Sequence, residues 1–424
     1  PSATLARVSS PLPATGAAPA RATAMPPWIV VVLLGLLLGI QPVTTDVYLP
    51  ALPALQHELA ASMSQVQLTF AGLLLAFGCS QLAWGPLSDR FGRRPVLLWG
   101  LFAYVLASLA STLAPRMDLL IAARVAQGAA MGAAVVCARA IVRDLYPPLE
   151  GARMMSRGLS GLGVIAITCA PLGGLLTELI HWRAALAALA LFGAVTLALV
   201  ALRFHETIPA RNPRALAPQA LWQAWRRIAR HPTFATYSLL ATASYAALFT
   251  FLSTSPFVLI EALGMSRFGY GALMAAGSLV YIAGTVACRR LLLHWGIRRA
   301  VFAAGWGTFA AGGLMAGLAW LGWGRPWYGW WAVFVPQALF LLAHGVHQPV
   351  SQSGTVAPFP EMAGAASALN GFLMMAVAFP MGLWLGRMMD GTPRALALGF
   401  FGWSTVIALT AWFLVPRHGD PERH

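Results

Sequence analysis

One carboxylate of this chain stands inside a long apolar segment that begins near Trp28. Asp46 lies toward the far end of that segment, among polar side chains that include Gln41 and Tyr48. An acid within a membrane span must face a cavity or a partner, because hydrocarbon does not solvate its charge. Such a group can carry a proton or hold a substrate. The alternative is a structural acid that caps a helix break near Pro50.

The side chain best placed to pair with this acid is Arg124. It lies in a later apolar segment, where Gln127 and Gly128, one turn on, make that side of the helix polar and small. The pattern predicts that Arg124 faces the interior of a helix bundle, as an electrostatic partner of Asp46. The alternative is an arginine that extends to the membrane surface along its aliphatic stem.

A charged loop separates two apolar segments at 85–94. Its sequence, Gly-Pro-Leu-Ser-Asp-Arg-Phe-Gly-Arg-Arg, places turn glycines, one acid and three bases at Gly85, Asp89, Arg90, Gly92, Arg93 and Arg94. The apolar runs 68–84 and 95–113 hold this loop at a membrane surface. Its excess of arginine predicts that the surface is cytoplasmic. The alternative is a hairpin whose arginines only set the topology.

The composition is that of a polytopic membrane protein. Of the 424 residues, 58% are hydrophobic and only 10% are charged, and the mean hydropathy is +0.70. The length suits about twelve spans of roughly 20 residues each. The net charge is +15, but all 28 basic residues are arginines spread over separated loops. Without a single basic face, nucleic-acid binding is not indicated.

The predicted fold is an all-α membrane protein with twelve transmembrane helices in two six-helix bundles. The longest polar connection divides the halves, and most arginines fall on the side shared by both termini, which predicts cytoplasmic termini. Residues 1–26 hold arginine without acid, like a transit peptide, but a disordered tail is preferred because an intact span follows. The predicted divisions are tail 1–26, bundle 27–203, cytoplasmic loop 204–233, bundle 234–416 and tail 417–424.

No catalytic or metal-binding constellation stands out in the sequence. The four cysteines lie within apolar runs and lack metal-ligand spacing. His344 and His347 are three residues apart without a third ligand, so we interpret them as hydrogen-bonding residues of a cavity, alongside Gln348 and Gln352. No phosphate-binding loop is present, which disfavours an ATP-driven pump. We therefore predict no enzyme activity, no metal and no cofactor, and a monomer in the lipid bilayer.

Small residues and a proline mark the fifth apolar segment, at Gly163, Pro171, Gly173 and Gly174. Small residues let helices approach closely, and proline frees a backbone carbonyl within a helix. The segment is a candidate hinge between helices that slide during transport. Close packing without motion is the alternative.

Several of these stretches together resemble the major facilitator superfamily. The charged loop 85–94 resembles its signature loop, and 45–53 resembles the first-span motif of its twelve-span drug:proton antiporters, especially the bicyclomycin-resistance branch. Residues 124–128, 171–174, 251–257 and 357–369 are similar to further motifs of that branch. The resemblance covers residues 28–415 and implies the major facilitator fold in a bacterial inner membrane.

The resemblance also implies roles for individual residues. Asp46 would be the proton and substrate carboxylate, with Arg124 as its partner. Asp89 would cap the cytoplasmic end of the eleventh span, and Arg93 would pair with Asp144. Some drug antiporters carry a second acid earlier in the first span, but residues 34–40 are apolar here. A single titrating acid is therefore expected.

By this resemblance, the chain exports small amphiphilic drugs in exchange for protons, driven by the proton gradient. A cavity that holds one acid and one arginine would prefer neutral or zwitterionic amphiphiles. A metabolite or sugar efflux carrier is the alternative within the class, and a non-transporting sensor the alternative outside it. The candidate cavity residues are Gln41, Tyr48, Gln127, Tyr245, Phe249, Phe251, His347, Gln348, Asn370 and Met374.

Overall fold

A computed structural model describes residues 25–208, 211–213 and 215–419. The N-terminal tail predicted at 1–26 and the C-terminal tail predicted at 417–424 therefore lie largely outside the described residues. Every regular element in the described ranges is helical. The long apolar segments form helices because a backbone in hydrocarbon must satisfy its own hydrogen bonds.

The first half of the chain folds into long helices joined by short turns. A capping box starts the third helix, where Ser62 and Gln65 each accept a hydrogen bond from the other's backbone N–H. The helices of this half are α1 Pro27–Asp46, α2 Leu52–Glu58, α3 Met63–Phe91, α4 Arg93–Leu113, α5 Met117–Leu145, α6 Pro148–Leu179 and α7 Trp182–Arg203.

The second half follows a polar connection that carries one amphipathic helix, α8, Pro218–Ala229. Short π-helical turns follow two of its long helices, at Phe257–Ala262 and Thr410–Leu414. The remaining helices are α9 Pro232–Pro256, α10 Arg267–Gly322, α11 Trp330–Val356, α12 Ala363–Met388, α13 Arg394–Leu409 and α14 Val415–His418.

Ten helical stretches among the described residues are long and apolar enough to cross a membrane. One of them, α10, has 56 residues and changes direction at Gly296, whose φ of 70° and ψ of 172° are not helical. The turn glycine Gly92, between α3 and α4, has a similar conformation, with φ 108° and ψ 159°. Both glycines occupy a backbone region that other residues rarely adopt, so each one joins two helices sharply.

The two halves pack against each other through α3 with α12 and α6 with α10. The α3–α12 contact runs from Ser64 beside Gly386 to Gln81 beside Gly371. The first contact is at the start of α3 and the second is beyond its middle, so the two helices lie side by side over more than half the length of α3. We call the two ends of the bundle the Glu58 end and the Asp89 end.

Candidate functional site

A cavity of about 350 Å³ lies between the two halves. The first half contributes residues of α1, α3 and α6, and the second half contributes residues of α9, α10 and α11. Most of the lining is apolar or aromatic, with a few polar groups, as is usual for sites that bind small molecules. The polar lining residues are Gln41, Thr45, Asp46, Tyr245, Ser278, Tyr281, Gln337, His344 and Gln348.

Five of the predicted site residues line this cavity: Gln41, Asp46, Tyr245, Phe251 and Gln348. Six residues predicted for it lie outside its lining because their side chains pack into the helix bundles. They are Tyr48, Gln127, Phe249, His347, Asn370 and Met374.

Asp46 is the last residue of α1 and is half-buried on the cavity wall. Its carboxylate accepts a hydrogen bond of 2.7 Å from Thr45 Oγ1. The chain continues from here into a 3₁₀ turn at Leu49–Ala51 and then into α2. The break predicted near Pro50 is therefore present, and it leaves the carboxylate facing the space between the two halves.

Arg124 is fully buried in the first half and does not face Asp46. None of the ion pairs among the described residues joins these two side chains. The guanidinium donates instead to Gln127 Oε1 at 2.6 Å and to the Thr44 carbonyl at 3.1 Å. It also lies 4.1 Å from the ring centre of Tyr48. The prediction of a direct partnership is wrong for this structure, because α1 places Asp46 and Thr44 on different sides.

Contacts with neighbouring helices explain why the side chains of Tyr48 and Phe249 do not line the cavity. Tyr48 exchanges a hydrogen bond of 2.6 Å with Thr69. Phe249 stacks on Phe70, with ring centres 5.4 Å apart, and only Phe70 reaches the lining. His347 likewise turns toward Thr308, at 3.2 Å. In each case a neighbouring helix supplies a polar or aromatic partner that the sequence order does not reveal.

Four polar residues of the lining were not predicted as cavity candidates from the sequence: Thr45, Ser278, Tyr281 and Gln337. His344 was interpreted with His347, but only His344 faces the cavity; its Nδ1 shares a hydrogen bond of 2.7 Å with Ser244. The spacing of Gln337, Leu341, His344 and Gln348 places them on one face of α11. This spacing could have identified Gln337 as a cavity residue from the sequence.

The charged loop builds an ion-pair network at the Asp89 end. Arg93 is almost fully buried and donates to Asp89 at 2.6 Å and to Asp144 at 2.9 Å. Arg143 lies 3.9 Å from Asp144 and 4.0 Å from Asp89. The structure thus contains the expected pair of Arg93 with Asp144. The Asp89 carboxylate instead accepts from Arg93 and lies near Arg143, and none of the hydrogen bonds found among the described residues joins it to the first turn of α12, the eleventh span.

The connection between the halves folds back onto this loop. Glu206 accepts hydrogen bonds from the backbone N–H groups of Arg93 at 2.9 Å and Arg94 at 3.2 Å. It therefore caps the first turn of α4, where a carboxylate is favoured by the helix dipole. Arg94 in turn donates to the Phe204 carbonyl at 2.8 Å. Arg90 lies over the ring of Phe91, at 5.4 Å.

The candidate hinge residues divide into two groups. Gly173 and Gly174 are tightly packed: an added Cβ would meet the Val47 backbone at the first and the Arg267 backbone at the second. Gly163 has open space around its Cα. Pro171 lies within α6 at the same crossing with α10. Close helix contact therefore explains Gly173 and Gly174, whether or not the segment also bends.

Contacts between the halves also gather near the Glu58 end. His57 Nε2 lies 2.6 Å from Glu261 Oε1, and Gln67 Nε2 donates to the Ser253 carbonyl at 2.8 Å. Glu178 accepts a hydrogen bond of 2.8 Å from the N–H of Phe268. Toward the Asp89 end, Arg139 donates across the halves to Ser367 at 2.8 Å. The cavity is thus bounded by polar contacts toward both ends.

Comparison with known protein families decides the identity of this fold. Residues 28–382 match the sequence model of the family described as the Major Facilitator Superfamily. The chain belongs to the major facilitator superfamily. Multidrug resistance protein D of Escherichia coli is 32% identical over 80% of this chain and 84% of its own length. The bicyclomycin resistance protein homolog of Haemophilus influenzae is 26% identical over 92% of this chain and 97% of its own length.

Other relatives agree with this placement in the superfamily. The chloramphenicol resistance protein of Pseudomonas aeruginosa is 29% identical over 76% of this chain and 75% of its own length. The fold is also that of a D-xylose-proton symporter crystal structure, with a TM-score of 0.69 at 15% identity over 93% of this chain and 98% of that one. The predicted family and its drug-efflux branch are confirmed.

Proposed function

We propose that this protein is a proton-coupled antiporter that exports small amphiphilic drugs across the bacterial inner membrane by alternating access. Its superfamily relatives are named for resistance to multiple drugs, bicyclomycin and chloramphenicol. A cavity of about 350 Å³ between two halves supports the transport of a molecule of drug size. We propose that the proton gradient drives this cycle, without a cofactor.

One observation carries the proton coupling: Asp46 is a half-buried carboxylate on the cavity wall, at the broken end of α1. No arginine or lysine lies among the described residues that line the cavity. A proton and a cationic substrate can therefore compete for the same carboxylate. Moving one charge through the membrane potential supplies about 2.3 kcal/mol per 100 mV.

The position of Arg124 changes the expected substrates. The expected preference for neutral or zwitterionic substrates depended on an arginine in the cavity that balances Asp46. Arg124 is instead buried outside the cavity. With Asp46 as the only charged lining residue described, the proposal includes lipophilic monocations as well as neutral amphiphiles. Export of permanent dications alone would still contradict this proposal.

We infer twelve spans rather than ten. A straight helix of 56 residues would be roughly 84 Å long, far beyond a hydrocarbon core of about 30 Å, so α10 is best divided at Gly296. The 27-residue helix α11 then supplies the remaining span. With the arginine-rich Asp89 end in the cytoplasm, both termini lie inside.

Transport by the purified protein in liposomes tests the proposal. Vesicles with an acidic lumen should accumulate ethidium or chloramphenicol against a gradient, and collapse of the pH difference with nigericin should stop the accumulation. Liposomes without protein provide the control. Accumulation that is indifferent to the pH gradient would contradict proton coupling, and absence of transport for a broad drug panel would contradict export.

A further inference from the structure

One face of α11 forms a wall of the cavity over several turns. The lining residues of this helix are Phe334, Gln337, Leu341, His344 and Gln348. Their spacing alternates between three and four residues, which is the spacing of a single helix face. Two carboxamides and an imidazole therefore point into the same space, separated by apolar side chains.

The two glutamines of this face have unused hydrogen-bonding capacity. Gln337 is only 2% exposed, yet its Oε1 has no partner, and the Oε1 of Gln348 also lacks one. Buried polar atoms of folded proteins are nearly always paired, so an unpaired atom calls for an explanation. Both residues line the cavity, so a molecule bound there can supply the missing donor once the carboxamide turns toward it.

His344, between the two glutamines, is held in a fixed orientation. Its Nδ1 shares the 2.7 Å hydrogen bond with Ser244, and its ring stacks on Phe340 with centres 5.5 Å apart. The ring of Tyr281, on α10, also packs against His344, with ring centres 5.4 Å apart. A fixed imidazole edge thus completes the wall between the two carboxamides.

We propose that Gln337 and Gln348, on the polar face of α11 to either side of His344, select substrates that carry hydrogen-bond donors. This proposal rests on the proposed function and specifies its substrate class: elongated amphiphiles with amine, amide or hydroxyl N–H or O–H groups. The two glutamines are separated by about 16 Å along the helix axis. Donors spread along the length of a substrate can meet both carboxamides, while Asp46 on the opposite wall receives a positive charge.

Two monovalent cations distinguish this selection from charge recognition. Ethidium carries two aromatic amino groups, whereas tetraphenylphosphonium has no hydrogen-bond donor. The double variant Gln337→Leu with Gln348→Leu keeps the volume of the wall and removes both acceptors. We expect the KM for ethidium to rise about tenfold in proteoliposomes, and the KM for tetraphenylphosphonium to change by less than about twofold. If the double variant does not fold, the single variants Gln337→Met and Gln348→Met carry the same comparison.

Gln352→Leu is the matched control, since Gln352 lies one turn further along α11 and outside the cavity lining. It should leave the transport of both cations unchanged. Equal loss for the two cations, no loss for ethidium, or a wild-type preference for tetraphenylphosphonium would overturn the selection by donors. Transport of neither cation nor any other drug by the wild type would instead overturn the proposed function, and this inference with it.

Discussion

Arg124 acts on α1 through the backbone rather than through the carboxylate of Asp46. It donates to the Thr44 carbonyl at 3.1 Å, within the last turn of a helix that ends at Asp46. The last carbonyls of a helix lack intrahelical partners, and a cation there is favoured by the helix dipole. A carboxylate at the same end is disfavoured by that dipole. Asp46 is therefore poorly suited to be a structural cap, which supports its assignment as an exchangeable acid.

Replacement of Arg124 by lysine tests this positioning role. A lysine ammonium cannot contact Gln127 and Thr44 while lying flat over Tyr48, because it lacks the planar fork of a guanidinium. We expect Arg124→Lys to lower the free energy of unfolding by about 1–3 kcal/mol, measured as a lower melting temperature in detergent. Arg116→Lys, at an exposed position before α5, should change it by less than about 0.5 kcal/mol. Equal melting temperatures would contradict the role.

At the residue scale, a side chain's environment is predictable from the sequence where its own helix alone determines it. Asp46 and Gln41 were predicted for the cavity because a polar group in an apolar helix must face the interior. The prediction that Tyr48, Gln127 and His347 line the cavity is wrong because each forms a hydrogen bond with a residue of another helix. The order of residues in the sequence does not reveal which helices are neighbours.

At the scale of the elements, the crossing of α6 with α10 depends on glycine. An added Cβ at Gly174 would come within 3.0 Å of Phe268 Cα and closer still to the Arg267 carbonyl, both on or beside α10. We expect Gly174→Ala to separate the two helices, to destabilise the protein by about 1–3 kcal/mol and to slow transport. The measurements are the melting temperature in detergent and the initial rate of drug uptake.

Gly163→Ala is the control within the same helix. Nothing lies within 4 Å of a Cβ at this position, so alanine should be tolerated. Greater damage from Gly163→Ala than from Gly174→Ala would mean that bending of α6, rather than its close contact with α10, is the property that matters.

Glu206 joins two elements that are distant in the sequence. Loss of its carboxylate should free the first turn of α4, at a cost of about 0.5–2 kcal/mol for a lost cap. In Glu206→Ala, hydrogen exchange at the amides of Arg93 and Arg94 should therefore accelerate by about 2–30-fold. Glu150→Ala, in the first turn of α6, should leave exchange at those amides unchanged. Unaltered exchange in Glu206→Ala would disprove the capping.

No pattern in the sequence predicts this cap, since Glu206 lies 113 residues from Arg93. By contrast, the pair of Arg93 with Asp144 was expected from the family resemblance alone. Helices, turn glycines and charged loops are local features that hydropathy and spacing reveal. Caps made by a returning loop depend on the tertiary fold.

At the scale of the whole molecule, the two halves are joined by contacts toward both ends of the bundle. Alternating access would require one set of contacts to open while the other is kept. The network at the Asp89 end lies within the first half, on α3, α4 and α5. It contains one almost fully buried cation, Arg93, with a half-exposed acid and a buried acid. Its two acids should therefore contribute unequally.

Substitution of each acid by its amide measures this inequality. Removing one partner of a buried ion pair costs about 3–5 kcal/mol, and an exposed pair is worth about 0–1 kcal/mol. Because the side chain of Asp144 is 7% exposed and that of Asp89 is 42% exposed, Asp144→Asn should destabilise more. The melting temperature in detergent measures both losses, and a larger decrease in Asp89→Asn than in Asp144→Asn would contradict this order.

The two-bundle plan was predictable at this scale because apolar length and arginine distribution are properties of the whole sequence. The exact set of cavity residues was not, because it depends on how α11 and α1 rotate about their axes against their neighbours. Arg124 shows the consequence: its burial was predicted, but its separation from Asp46 was not.

Drug-driven proton release in inverted membrane vesicles tests the coupling role of Asp46 most directly. In the wild type, added drug should release protons that a pH-sensitive dye detects, because substrate and proton compete for one carboxylate. Asp46→Asn keeps the shape of the side chain and should abolish this release while the protein remains folded and inserted. Asp118→Asn, at an exposed acid in the first turn of α5, should leave it unchanged. Wild-type proton release in Asp46→Asn would contradict the assignment of Asp46 as the proton carrier.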